Sequence, residues 1–471
     1  MEGISLKDTR NQRIHMVGIG GASMAGLAEM LYHDGYLVSG SDSAESYALK
    51  RLRGFNLDVR AGHHPEMVDG AGLLVYSAAI AVDDPERVEA RRLGIPQMER
   101  AVLLGEIMQD AARQVCVCGT HGKTTTTAML AQMLHEIDAD PTVHLGGSLD
   151  AIGGSIRIGD SGLFVAEACE FNRSFLHMPV TMALLLNIEV DHLDCYGTMD
   201  AVEAAYVAFL EHLPDDGKVL ALGDDERVSR VLSQLTPKNR VIYTFGNQPD
   251  FDYSFAQLEF DQKGNAFFDV RYQGNTLCPV NLRVPGLYNA LHALVAIAAV
   301  HQLGFDTKQA AASLANYTGA RRRFEHTGVV KGMDLYHDYG HNPAEMRAAI
   351  DMARLQNRRV IAVMQPHTYS RVKTLFDEYL TCTKQADITL VTDIYAAREK
   401  APGDINTPML IDGMTAHGVT AYHTPGFDET EAWLLKNGQP GDLVITMGCG
   451  NINLLNDQMQ ENEKQRTAAG N

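Results

Sequence analysis

No stretch of the sequence reaches about 18 uninterrupted apolar residues, which excludes a membrane-spanning helix. The opening MEGISLKDTRNQR lacks the apolar core of a signal peptide, so a cytoplasmic protein is expected. Basic residues are in deficit: 40 Lys and Arg stand against 59 Asp and Glu, a formal net charge of −19. That balance disfavours nucleic acid as a partner and any broad polyanion-binding surface. A small loop that presents backbone N–H groups at a helix N-terminus still binds nucleotide phosphates in such a chain. Cysteine is sparse. The seven residues, at 116, 118, 169, 195, 278, 382 and 449, are odd in number and lie mostly inside apolar runs. They read as reduced, buried thiols. Cys116 and Cys118 form CxC in VCVC before a glycine loop and read as strand interior, not as a metal site. No repeat of short period is present.

What is present fits an α/β protein of about three domains, at ~150 residues each: 471 residues, 45% apolar, 21% charged, with 42 Gly. Three βα patterns follow in series. The first, IHMVGIGGASMAGLAEMLYHDGYLVSGSD, reads as strand, glycine turn, helix from Met24, strand. Gly18, Gly20 and Gly21 would let the backbone approach a diphosphate, Ser23 stands where a third fingerprint glycine belongs, and Asp42 ends the second strand where a ribose-contacting acid falls. A plain tight βα turn is the competing reading. GLLVYSAAI (72–80) is a further buried strand, and the segment closes near 111.

The second pattern, RQVCVCGTHGKTTTTAMLAQMLHEI, continues through strands LFVAEA and TMALLLNI, a helix at AVEAAYVAFLEHL and a strand at KVLALG. Alternating short strands between 241 and 285 predict an antiparallel excursion, followed by the long apolar helix YNALHALVAIAAVHQLGF. The third pattern holds MDLYHDYGHNPAEMRAAIDMARLQ, RRVIAVMQ, ADITLVTDIY and GDLVITMGCGN, with Pro343 at a helix N-terminus. Domain boundaries are expected at 1–111, 112–322 and 323–471, with a polar tail that frays from about 456.

GTHGKT, residues 119–124, carries the strongest chemical signal. Strand, glycine loop, Lys and Thr, then helix is the phosphate-cradle arrangement, with Lys123 on the outer phosphates and the Thr124 hydroxyl on Mg²⁺. The usual eight-residue pattern needs Gly at 117, where Val117 stands, so the loop is shortened. Glu167 and His192 each follow a strand, where a phosphate loop holds its metal; a buried ion pair and a capping histidine compete with that reading. Arg321, Arg322 and Arg323 suit either a transferring phosphoryl group or a solvated linker. Asp338, His341 and Asn342 in DYGHNP, and Gln365 and His367 to Arg371 in QPHTYSR, occupy loops after strands; Arg371 is suited to clamping a carboxylate.

GTHGKTTTTAM, EACEFNRSFL, NIEVDHLD, GARRRF, DYGHNP, QPHTYSR and GDLVITMGCG stand in the order and spacing of the Mur ligases, and the chain resembles that family over nearly its whole length. HMVGIGGASMAGLA opens it like the branch that joins L-alanine to UDP-N-acetylmuramate. The resemblance implies a three-domain architecture: a Rossmann-like N-terminal domain for the UDP part, a central P-loop ATPase domain with the antiparallel excursion, and a Rossmann-like C-terminal domain bringing the amino acid. It implies ATP and Mg²⁺ as cofactors, phosphorylation of the lactyl carboxylate to an acyl phosphate, attack by the amine, and a place in peptidoglycan precursor synthesis. A monomer or weak homodimer is expected.

The roles that the resemblance implies fall on particular residues. Gly18, Gly20, Gly21, Asp42 and Ser77 bind the UDP-sugar. Gly119, Thr120, His121, Gly122, Lys123, Thr124 and Thr125 bind ATP; Thr124 and Glu167 bind Mg²⁺, and His192 a second Mg²⁺. Arg322 or Arg323 and Asp338 contact ATP from the C-terminal side, and Asn289 contacts adenine, although His292 replaces a second Asn. Thr368 and Asn342 replace an Arg and a His of many relatives, which leaves Arg371 and His341 for L-alanine. Other branches carry a carbamate-forming lysine fifteen residues after the Asp of the DH pair; here that position is Tyr206, and no lysine lies between Lys123 and Lys218. Tyr206 reads as a core aromatic. Two alternatives are a ligase that attaches a preformed tripeptide to the same nucleotide sugar and, from a different class, a nicotinamide-dependent oxidoreductase built on the GIGG unit. A nucleotide-sugar sensor that does not hydrolyse ATP is a third.

Overall fold

A computed structural model describes residues 5–189, 193–397 and 399–469. The chain forms two compact units: one takes the chain up to Leu258 with Phe268–Asn281 and Tyr288–Tyr317, the other Glu259–Phe267, Leu282–Leu287 and the chain from Thr318.

The first sheet consists of β1 (Arg13–Val17), β2 (Leu37–Asp42), β3 (Asp58–Ala61), β4 (Ala71–Tyr76) and β5 (Gln97–Glu99), in the order β3-β2-β1-β4-β5. Every pairing is parallel. Strand order reverses at β1, which lies between β2 and β4. The loop leaving β1 therefore opens into the crevice where open α/β sheets bind ligands, with Asp42 and Ser77 at the ends of the flanking strands. The helix Ala22–His33 follows, two residues ahead of the expected Met24.

The second sheet has ten strands: β6 (Arg113–Cys118), β7 (Thr142–Leu149), β8 (Gly154–Arg157), β9 (Leu163–Glu167), β10 (Met182–Leu185), β11 (Lys218–Leu222), β12 (Val241–Gly246), β13 (Tyr253–Phe260), β14 (Asn265–Tyr272) and β15 (Asn275–Pro285). Their order is β15-β14-β13-β12-β11-β10-β6-β9-β7-β8. The same switch-point logic applies, because β6 lies between β10 and β9 and its loop meets the ends of both. The antiparallel excursion begins later than the sequence pattern predicts: β12 is parallel to β11, and β13 enters parallel to β12. Alternation of side chains marks a strand without marking its direction.

The third sheet holds β16 (Glu325–Val330), β17 (Met333–Asp338), β18 (Val360–Met364), β19 (Ile388–Val391), β20 (Ala421–His423) and β21 (Leu443–Met447), in the order β16-β17-β21-β18-β19-β20. All pairs are parallel except β16–β17. Pro343 does begin a helix, Pro343–Arg354, capped by the Asn342 side chain on the Glu345 N–H.

Two expectations are corrected. The tail does not fray at 456: a helix runs from Asn453 to Ala469. Ile452, Leu455, Asn456 and Met459 recur at helical spacing and are fully buried, and Arg466 pairs with Glu431 at 3.1 Å. Polar composition hid a narrow apolar stripe. The cysteines are all free, but Cys195 is exposed and Cys169 and Cys449 are half-buried; Cys116, Cys118, Cys278 and Cys382 are buried as expected. No helix among the described residues is long and apolar enough to cross a membrane.

Candidate active site

In the first unit, β6 feeds the loop Gly119–Gly122 and then the helix Lys123–Glu136. Gly122 has φ +84°, and a Cβ there would lie 2.1 Å from the His292 ring, so only glycine fits. Asn187, just after β10, braces the loop from both sides: its Oδ1 accepts from the His121 N–H at 2.8 Å and its Nδ2 donates to the His121 carbonyl at 3.0 Å. The Thr120 hydroxyl accepts the Glu189 N–H at 2.8 Å. Burial pushes the His292 pKa down to about 4, with His121 adding to the effect, so a neutral ring packs on the loop. Asn289 lies one helical turn earlier on the same helix, Leu287–Gln302.

Lys123 folds back over the loop. Its Nζ donates to the carbonyls of Gly119 (2.6 Å) and Thr120 (2.9 Å) and pairs with Glu170 Oε2 at 2.9 Å. Burial pushes its pKa down, and the acidic groups around it, Glu170 foremost, together more than offset this, so the ammonium stays charged. One residue on, the Thr124 hydroxyl donates to Glu167 Oε2 at 3.0 Å, while Glu167 Oε1 accepts the Gly146 N–H at 2.7 Å. Glu167 ends β9 directly opposite Val117 of β6, which sets it beside the loop. Thr125 occupies the next, half-buried helical position.

Among the described residues no three His, Cys, Asp or Glu side chains converge as a metal cage. Thr124 and Glu167 instead form a pair of hard oxygen donors beside a phosphate loop, which fits a Mg²⁺ that keeps most of its shell for phosphates and water. His192 lies outside the described residues. Tyr206 is fully buried, edge-on to Phe175 at 5.3 Å, as a core aromatic should be.

The glycine loop after β1 is held by the neighbouring strand. Gly18, at φ +77°, and Ile19 donate to the Ser41 carbonyl at 2.8 and 3.0 Å, and Gly20 donates to Asp42 Oδ2 at 2.9 Å. Asp42 thus fixes the loop itself. Gly21 caps the following helix without a side chain, and Ser77 Oγ comes within 3.6 Å of where a Gly18 Cβ would stand.

In the second unit, Asp338 at the end of β17 is buried and accepts from the N–H groups of Phe324 (2.8 Å) and Gly340 (2.7 Å). Burial raises its pKa, opposed chiefly by the Arg323 charge. Arg322 and Arg323 lie over the Tyr339 ring at 4.7 and 5.2 Å, and Arg322 also reaches the Gly450 carbonyl at 3.2 Å. Arg321 is exposed. Arg371 donates to His367 Nδ1 at 3.1 Å, and the His367 ring lies 6.3 Å from that of His341 and stacks on Tyr395 at 5.6 Å. His341 is set by Glu345 at 3.2 Å, while Asn342 serves as the helix cap. Burial first, then Arg371, pushes the His367 pKa down to about 4.

Lys123, Thr124 and Glu167 meet in the structure, as do Arg323 and Asp338, whereas Arg371 and His341 each approach His367. Sequence reasoning missed Glu170, Asn187 and the His367 link. EACE, with a second carboxylate three residues after Glu167, was the available signal for Glu170.

Three family models match: "Mur ligase family, catalytic domain" over residues 13–112, "Mur ligase middle domain" over 117–300 and "Mur ligase, glutamate ligase domain" over 322–450. The chain is 41% identical over 455 residues to a UDP-N-acetylmuramate–L-alanine ligase of Acetivibrio thermocellus, covering 96% of each chain. It is 40% identical to one of Caldanaerobacter subterraneus, covering 96% of this chain and 98% of that one. A crystal structure of a UDP-N-acetylmuramate-alanine ligase from Thermotoga maritima superposes with a TM-score of 0.81 at 25% identity, over 97% of this chain and all of that one. A murein peptide ligase from Psychrobacter arcticus shares the fold at 23% identity and a TM-score of 0.74, covering 96% and 98% of the two chains. The chain belongs to the Mur ligase family.

Proposed function

We propose that the chain is a cytoplasmic enzyme of peptidoglycan precursor synthesis that uses ATP to join L-alanine to the lactyl carboxylate of UDP-N-acetylmuramate. The observation that carries this reading is the pair of switch-point loops on separate sheets: a glycine loop without a lysine after β1, and a lysine-bearing phosphate loop with an acidic metal partner after β6. A nicotinamide-dependent oxidoreductase has no use for the second loop. The proposed domain roles are nucleotide-sugar binding for 1–111, ATP binding for 112–322 and amino-acid delivery for 323–471.

A carboxylate is a poor electrophile with a poor leaving group. Transfer of the terminal phosphoryl of ATP to a lactyl carboxylate oxygen corrects both faults. The alanine amine then attacks the carbonyl carbon, loses a proton, and the tetrahedral adduct expels phosphate. Lys123 exchanges its carbonyl and Glu170 partners for phosphate oxygens, where a fixed positive charge offsets the charge that crowds during transfer. Thr124 and Glu167 would hold Mg²⁺, which supplies further charge neutralisation at the phosphates. Asn289 contacts adenine, and Arg322, Arg323 and Asp338 take the ATP-side roles of the C-terminal domain. Arg371 clamps the amino-acid carboxylate, and His341, whose ring lies 6.3 Å from that of His367, positions the amine.

Phosphate release that requires UDP-N-acetylmuramate, ATP and L-alanine together tests the reading; release unaffected by omission of the nucleotide sugar overturns it. Tyr206, buried in the core, cannot form a carbamate. On this reading His192, with substrate oxygens and water, would hold the second Mg²⁺. Ligation in rigorously degassed buffer should match that with added bicarbonate, and a large bicarbonate-dependent rise in rate would sink the branch assignment.

A further inference from the structure

Ser23 stands where dinucleotide-binding loops carry a glycine, at the second position of the helix Ala22–His33. Its Oγ accepts a hydrogen bond from the Arg100 guanidinium at 3.1 Å and lies 2.8 Å from His144 Nε2 of β7. His144 is 4% exposed, and its other ring nitrogen, Nδ1, is buried with no partner. Burial first, and the Arg100 charge second, hold the His144 pKa down to about 4, so the ring is neutral and carries one N–H. On Nδ1 that proton would be an orphaned buried donor. On Nε2 it is satisfied by Ser23, and a bare ring nitrogen is the smaller loss. Arg100 can only donate. Both lone pairs of the Ser23 oxygen are then occupied by donors, and its own hydrogen has no acceptor among the described residues.

Arg100 points the same way. It is half-buried at the start of the helix Arg100–Met108 and has no carboxylate partner among the described residues. A partly desolvated cation normally has an anion beside it. Here a guanidinium, a hydroxyl forced to donate, and the uncapped N-terminus of a 12-residue helix meet at one glycine loop.

We propose that the Ser23 hydroxyl donates a hydrogen bond to a diphosphate oxygen of the bound nucleotide sugar, oriented for that purpose by Arg100 and His144. The inference rests on the reading of the first glycine loop as the UDP site and adds the residue that replaces the fingerprint glycine. His144 is a positioning residue, acting through Ser23 without touching the ligand.

Titration of the full-length protein with UDP-N-acetylmuramate and with uridine, by calorimetry and competition, separates the possibilities. Ser23→Ala should weaken nucleotide-sugar binding roughly tenfold, as loss of a charge-assisted hydrogen bond does, and raise KM for the nucleotide sugar without raising KM for ATP. Uridine, which has no diphosphate, should bind Ser23→Ala and wild type alike. His144→Phe keeps the ring shape without the donor and should lose several-fold in nucleotide-sugar affinity; His144→Gln, whose amide nitrogen falls near the Nε2 position, should recover most of it. Unchanged affinity in Ser23→Ala, equal losses for both ligands, or a His144→Gln as weak as His144→Phe would each overturn the proposal. A wild-type protein that fails to bind UDP-N-acetylmuramate overturns the UDP reading itself, and this inference with it.

Discussion

Lys123→Ala should lower ligation by about 10³-fold or more while leaving affinity for UDP-N-acetylmuramate within about twofold of wild type. The lysine belongs to the loop after β6, and the proposed diphosphate site is the loop after β1 of another sheet, so binding and chemistry should separate. A second effect accompanies the first. The side chains of Lys123 and Glu170 are only 14% and 3% exposed, and breaking a buried ion pair by removing one member costs up to about 3–5 kcal/mol. The single variant should therefore melt earlier. Pairing Lys123→Met with Glu170→Gln should restore the melting temperature without restoring activity, which distinguishes lost catalysis from lost folding. Calorimetry showing that a folded Lys123 variant no longer binds the nucleotide sugar would count against this division of labour.

Glu167→Gln should cost roughly 10²- to 10³-fold in turnover, with a distinct signature. The amide keeps an oxygen for the Gly146 N–H, and Thr124 can reverse the direction of its hydrogen bond, so the loop geometry survives while the negative charge is lost. The half-saturating Mg²⁺ concentration should rise, whereas substitution of Lys123 should leave it where it was. Rates measured over a Mg²⁺ titration at saturating ATP read this directly. An unchanged Mg²⁺ requirement in Glu167→Gln would remove Glu167 from the metal site.

Much of this site was legible because its chemistry demands local backbone geometry. A strand ending in GTHGKT leaves the lysine and threonine few places to go, and Glu167 at the exit of the adjacent parallel strand is delivered to the same edge. Glu170 was not legible in that way. Its pairing with Lys123 depends on how the chain turns after β9, and that segment passes through left-handed conformations at two successive residues, Asn172, which favours them, and Arg173, which does not. Asn187 was hidden for a similar reason, since its two bonds to His121 span the sheet. The C-terminal helix was misread because three apolar residues and one buried asparagine make a stripe too narrow to stand out in a polar stretch. Asn342 looked like a substituted binding residue, but the structure uses it as a helix cap with a reciprocal bond to Glu345.

The most direct measurement is a competition between amino donors: phosphate release and product mass, with ATP, Mg²⁺ and UDP-N-acetylmuramate held fixed, compared across L-alanine, glycine, L-serine and the preformed tripeptide. L-Alanine should give rapid release and a product heavier by one alanine residue, with the tripeptide close to background. Rapid turnover of the tripeptide with none of L-alanine would contradict the assignment and point to the recycling activity instead.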